Sequence, residues 1–353
     1  EGLKRGEMSR LIYQLKYHYS HSLPNYQVKE MAVAHSIGIE PPPVIAINKE
    51  GAVADKLRQY LKGADTPRAL SASGLKTLQF YMQYVEGLSV EDEISETVDS
   101  SVFGTIYHNV MASLYDELKE KYGFDTDSGL RVVNVTESML DEVIGCTDKI
   151  MQYIEREFNI VFYHARKDAP VPRLTGKNSI IAHTVYIYVK QTLEYDRDNV
   201  APFVYHNSEE RLSGDIFLPL ENGCHVRFKA FIDRVDYCGD KLRIIDYKTG
   251  SDAVEVSSIE ELFNRTSKKL PGAIMQVLLY CKLYSIAHPE RQYKMLPLIY
   301  RVRKAFSDFV PILKIAKSDV SCYDDVKDRY EELLNEVLQE LFDESIPFTQ
   351  TQE

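Results

Sequence analysis

The period of the apolar positions changes several times along the chain, and each change marks an element. Residues 7–20 put Leu11, Ile12, Leu15 and Tyr19 on one helical face, and 50–62 forms a second helix. Between them, 26–34 and 43–48 read as strands around the "EPPP" break, and "GADTPRAL" (63–70) as a linker. Ser71 and Ser73 can cap a helix running through "LKTLQFYMQYVEG". The stretch 100–122 is a long amphipathic helix with Phe103, Tyr107, Val110 and Leu114 as its stripe, and helices follow at 136–158 and 177–196. Strands are predicted near 203–207, 210–219, 225–237 and 241–248. Helices at 257–265 and 271–287, strands at 293–302 and 308–315, and an acidic helix at 323–343 complete the pattern. Strands flanked by helices on this scale predict an α/β chain around a central mixed sheet.

One hairpin stands out, "RVDYCGDKLRIIDYKTG" at 234–250. Glycine first in a two-residue Gly239-Asp240 loop suits a type II′ turn. Asp233 then lies directly opposite Asp246, where Cβ atoms are about 4.5–5.5 Å apart and like charges destabilise. Such a pair is tolerated if one carboxyl is protonated, if cations surround it, or if a divalent metal lies between the two. Alternation puts Asp246 and Lys248 on one face and Tyr247 on the other. A solvated hairpin face has the same spacing, so the surroundings must decide.

Composition narrows the choice. The 353 residues are 44% hydrophobic, enough for a substantial core, and carry a net charge of −11. A polyanionic partner must therefore be met by a local basic surface or through metal ions. Arg265 to Lys304 supplies one, with nine Lys/Arg against a single Glu, and Lys268, Lys269, Arg301 and Arg303 are its candidate contacts to a phosphodiester substrate. The five cysteines have no metal-ligand spacing and read as free thiols of a reducing compartment. No signal peptide and no run of 18 apolar residues occurs, so a cytoplasmic protein with no membrane partner is expected. The chain opens without Met in what reads as mid-helix, so a longer parent is expected. No GxxxxGK, GxGxxG, GxSxG or HExxH sequence is present, which removes the commonest nucleotide-binding and hydrolase signatures.

"FIDRVDYCGDKLRIIDYKTG" followed by "MQVLLYCKLY" resembles the PD-(D/E)xK nuclease superfamily, with the RecB/AddB-like nuclease domains most similar. "SASGLKTLQFYMQYVEGL" resembles that branch's first nuclease helix, "FGTIYHNVM" its histidine helix, and "NSEERLSGDIFL" its acidic strand. "QVLLY" resembles its QxxxY helix. The resemblance implies a restriction-endonuclease-like fold over 70–353, with 1–69 as the end of a preceding helicase-like region. It implies Mg²⁺ or Mn²⁺ held by His108, Asp233, Asp246 and the Tyr247 carbonyl, with Glu209 or Glu210 in support through water. Lys248 would orient the attacking water and stabilise developing charge, and Gln276 and Tyr280 would assist it from one helix face. His108 lies off its helix's apolar stripe, free to reach a metal. Implied partners are DNA, as single strands or duplex ends, and a helicase subunit, in recombination and repair. A four-cysteine iron–sulfur staple is common in that branch, and a [4Fe-4S] cluster is possible in the parent. Its cysteines are not in this chain, since the first nuclease helix has none and the sequence stops at "IPFTQTQE". Two other readings remain: a catalytically silent DNA-binding or channelling module of the same fold, and an interaction domain whose acidic hairpin is incidental.

Overall fold

A computed structural model describes residues 9–23, 25, 45–62, 77–88, 98–211, 216–219, 225–264, 271–289, 293–304 and 309–350, except 128, 172 and 229. The expected strand at 26–34, the capping serines at 71 and 73, and Lys268 and Lys269 lie outside these residues. Contacts divide the chain into Glu1–Pro43 and Val44–Glu353. The first unit contributes helical turns at Arg10–Tyr13, Gln14–Tyr19 and Ser20–Ser22.

In the second unit, the expected long helix forms as α1 (Ser100–Tyr122), capped by Asp99, whose Oδ1 accepts the Val102 N–H at 2.8 Å. It buries Ile106, Tyr107, Val110, Met111, Leu114, Tyr115 and Leu118. Two short strands missed by the periodicity follow, β1 (Phe124–Asp125) and β2 (Arg131–Val135). The helix expected at 136–158 is two helices, α2 (Glu137–Gly145) and α3 (Thr147–Val161), broken at Cys146. After α4 (Gly176–Asn199) come β3 (Phe203–Arg211), β4 (Phe231–Cys238) and β5 (Lys241–Lys248). The chain continues through α5 (Gly272–Ala287), β6 (Lys294–Arg301) and α6 (Lys327–Phe342).

The six strands form one mixed sheet in the order β6-β5-β4-β3-β2-β1. The β5–β6 pair is parallel and the other pairs are antiparallel. Alternation along β5 sorts its side chains between two cores. Leu242 and Ile244 join the layer containing α5 and α6, whereas Ile245 and Tyr247 join the layer of α1, α3 and α4. Asp246 therefore faces the α5 side.

The layer on the α1 side also holds charge. Arg234, Asp196 and Asp236 are fully buried, and Arg243 nearly so. Arg234 donates to Asp196 at 2.6 Å, to Asp236 at 2.7 Å and to the Tyr247 hydroxyl at 3.1 Å. Arg243 donates to Asp236, and Tyr115 and Tyr300 donate to Asp196. The Arg234 guanidinium also lies over the Tyr115 ring at 4.3 Å. Burial of so much charge is tolerable because nearly every lone pair and proton is used.

Within the second unit, residues 45–62 pack against the C-terminal segment: Ala46 and Ile47 pair with Thr349 and Phe348, and buried Lys49 donates to the carbonyls of Glu340 and Asp343. The iron–sulfur staple implied by the resemblance would tie the 77–85 helix to the chain beyond α6. Aromatic rings meet at that seam, with Phe80 edge-on to Phe342 and Tyr81 stacked on Phe348 at 5.3 Å. The cysteines Cys146, Cys238, Cys281 and Cys322 are free and lie on separate elements. Among the described residues, no helix is long and apolar enough to cross a membrane.

Candidate active site

The hairpin register is the expected one. Cys238 pairs with Lys241 and the ladder runs regularly to Arg234 and Ile245. Gly239 has φ of 63° and Asp240 is not in the left-handed region, as a type II′ turn requires. One step further, where Asp233 should face Asp246, the paired ladder ends. The Asp233 side chain accepts the Tyr247 N–H instead, at 2.7 Å to Oδ2. A side-chain oxygen thus satisfies a backbone donor inside the sheet and fixes the carboxylate's orientation.

Helix α1 delivers His108 to this place. Its Nε2 donates to the Tyr247 carbonyl at 3.0 Å, and its Nδ1 is 3.3 Å from Asp233 Oδ1. The carbonyl can only accept, so an imidazole that also donates to Asp233 carries both protons. Burial opposes that charge, but the Asp233 and Asp246 carboxylates together hold the imidazole above its ordinary range. The close approach of α1 uses Gly104, where an added Cβ would lie 3.4 Å from Thr249 Oγ1.

Asp246 is 1% exposed, against 15% for the Asp233 side chain. Burial, and then the charge of Asp233, push the Asp246 carboxyl up to about 7. Asp233 moves the other way: burial would raise it, but His108, the Tyr247 N–H and Lys248 together hold it below the usual carboxylate range. The two acids titrate as a pair with their affinities driven apart. Lys248 Nζ lies 3.0 and 2.9 Å from the two Asp246 oxygens, but only Oδ1 is angled to accept a hydrogen bond. Asp246 Oδ2 is thus a buried acceptor with no hydrogen bond.

Lys248 also donates to Gln276 Oε1 at 2.9 Å, and Gln276 Nε2 donates to the Tyr280 hydroxyl. Both residues come from α5, one turn apart. Burial works against the Lys248 ammonium, yet Asp246 raises it, so it is a cation at neutral pH. Arg301 is abreast of Lys248 in the parallel register and half-buried, while Arg303 is exposed just beyond. Glu209 and Glu210 lie on β3, and their side chains are outside the described residues, as are Lys268 and Lys269. The buried Arg234–Asp196 group behind Tyr247 had no sequence signal, since its members are 38 positions apart.

A hard divalent cation needs an oxygen-rich donor set. Two carboxylates, an imidazole and a backbone carbonyl are the oxygen-rich ligands such ions take, and Asp246 Oδ2, beside the Lys248 ammonium, accepts no hydrogen bond. Among the described residues, no three His, Cys, Asp or Glu side chains already converge on one ion position. Lys248 and His108 each pair with one carboxylate. The donors fit, with Lys248 and the His108 protons standing in for the cation's charge.

No curated protein matches the chain. A model of the PD-(D/E)XK nuclease superfamily matches residues 69–353, more than half of the sequence, and the six-stranded mixed sheet between helices is the restriction-endonuclease-like architecture of that group. With the family match running through the hairpin and α5, the chain belongs to the PD-(D/E)XK nuclease superfamily.

Proposed function

We propose that the protein is a divalent-metal-dependent deoxyribonuclease, working in double-strand-break repair or recombination beside a helicase. The observation that carries the reading is the meeting of Asp233, Asp246, His108 and the Tyr247 carbonyl on one side of a lysine held by Asp246 and Gln276. Mg²⁺ or Mn²⁺ held by these donors supplies Lewis-acid activation of the phosphodiester and a water of lowered pKa. Asp233 and Asp246 provide the negative charge, and Asp233 is kept in orientation by the Tyr247 N–H. Lys248 places an ammonium next to the reacting phosphate and balances charge as it develops. Gln276 fixes where that ammonium points, and Tyr280 fixes Gln276. A silent copy of the fold has no reason to keep Lys248 bound between Asp246 and Gln276, so the catalytic reading is favoured over a channelling module.

The test is incubation of the purified protein with end-labelled linear DNA in Mg²⁺, Mn²⁺ or EDTA. Cleavage in either metal and none in EDTA is expected. DNA binding without cleavage in both metals would establish the silent module instead.

A further inference from the structure

Outside the active site, one surface reverses the charge of the chain. The loop between α3 and α4 reads "YHARKDAPVPRLTGK" over 163–177, with Arg166, Lys167, Arg173 and Lys177 against Asp168 alone, in a chain of net charge −11. All four cations are exposed, and none forms an ion pair among the described residues. Nearby cations differ: Lys149 is paired with Glu117, Lys121 with Glu142 and Arg156 with Glu157.

The loop is built rather than slack. Buried Asn159 accepts the Ala165 N–H at 3.0 Å and donates to the Pro170 carbonyl at 3.5 Å, holding both arms. Asn178 of α4 donates to the Tyr163 hydroxyl at 2.9 Å, leaving the Tyr163 ring 49% exposed. Lys167 forms one wall of a groove of about 440 Å³ between α1 and α3, lined also by Asn109, Ser113, Asp116, Arg156 and Glu157. Its two acids are already engaged. Glu157 accepts from Asn109 and Arg156, and Asp116 from the Tyr205 hydroxyl. Ala112, which also lines the groove, is one turn along α1 from His108 and on the same face, so the groove's α1 wall begins within a turn of that side chain.

We propose that the α3–α4 loop and this groove bind a single strand of nucleic acid and lead it to His108. Unpaired, pre-positioned cations suit successive phosphates, and an exposed tyrosine ring beside them suits an unpaired base. Bases within a duplex do not offer that face, which selects the single strand. The inference rests on the nuclease reading but locates the substrate on the α1 side of the sheet.

The test uses the full chain with a labelled oligothymidylate, with Ca²⁺ replacing Mg²⁺ so that binding is read without cleavage. Combined Arg166→Ala, Lys167→Ala, Arg173→Ala and Lys177→Ala should weaken binding at least tenfold and reduce the log–log salt slope by about 2 to 3. Tyr163→Ala should lower affinity at an unchanged slope. Hydrolysis of bis(p-nitrophenyl) phosphate, too small to reach the loop, should be the same in every variant. Unchanged affinity and slope in the fourfold variant, with circular dichroism unaltered, would overturn the proposal. So would an equal loss of binding for blunt duplex and single strand. If the unaltered protein hydrolyses neither the small diester nor DNA, the nuclease reading fails, and the Ca²⁺ binding data still decide this one.

Discussion

Asp233 accepts the Tyr247 N–H through one carboxylate oxygen and faces His108 with the other, so a single side chain both ends the β4–β5 ladder and begins the candidate active site. Its neighbour Asp246 has no such duty to the backbone. The two acids should therefore respond in opposite directions to substitution. Asp233→Ala leaves a shielded N–H without an acceptor and should cost about 1–3 kcal/mol of apo stability. Asp246→Asn removes a buried charge and its repulsion, and should leave apo stability unchanged or raised by about 1 kcal/mol. Both should be inactive. Urea unfolding in EDTA checks this, and equal losses from the two variants would contradict the assigned geometry.

The pH dependence follows from the Asp246 carboxyl, raised to about 7. A raised acid contributes stability that is full below its unfolded value near 4 and is lost as pH rises through about 7. Asp233, held low, contributes the opposite sense, with stability lost only as pH falls into the acid range. Apo protein should thus lose stability between about pH 4 and 7, and Asp246→Asn should flatten that slope. Activity should rise over the same interval, because the ligand form of Asp246 is the anion. Melting temperatures across this range in EDTA give the measurement.

Metal binding should release protons. The His108 imidazolium and the protonated fraction of Asp246 must both give way to the cation. Calorimetric titration with Mn²⁺ in buffers of different ionisation enthalpy should show a net release near pH 7, reduced in His108→Ala. A buffer-independent heat would rule out His108 as a ligand.

Lys248→Ala should abolish cleavage while sparing metal affinity. Gln276→Ala, which frees one side of the ammonium without removing it, should lower kcat about 10- to 100-fold with little change in KM. If Gln276→Ala instead raises KM alone, its hydrogen bond to Lys248 serves substrate binding.

Gly104→Val should push α1 away from Thr249 and displace His108 one turn later. Activity should fall further than stability, measured by cleavage rate alongside urea unfolding.

Much of the site was legible because a hairpin converts sequence spacing directly into geometry. Gly239 fixes the turn, and counting outward from it aligns Asp233 with Asp246 and sets Lys248 on the same face. The i, i+4 spacing likewise puts Gln276 and Tyr280 together. Counting could not show that the ladder stops at Arg234, since that depends on a side chain replacing a backbone acceptor. It also could not show the buried charges around Arg234, whose partners come from α4, β4 and β5. The helix break at Cys146 was hidden because apolar spacing continues across it. The loop at 163–177 gives only a short charge signal, four cations against one acid, beside the nine cations at 265–304.

The buried charges behind Tyr247 bear on how the chain avoids a wrong alignment. Sliding β4 by one residue along β5 would exchange its faces, carrying Arg234 and Asp236 into the apolar layer of α5 and stranding Asp196 among tyrosine rings. Each uncompensated charge would cost about 3–5 kcal/mol. Asp233 and Asp246 repel one another and by themselves would favour slipping apart. The guanidinium–carboxylate cluster on the opposite face thus acts as a proofreading device for strand alignment, holding two mutually repelling acids in step when no cation is there to do it.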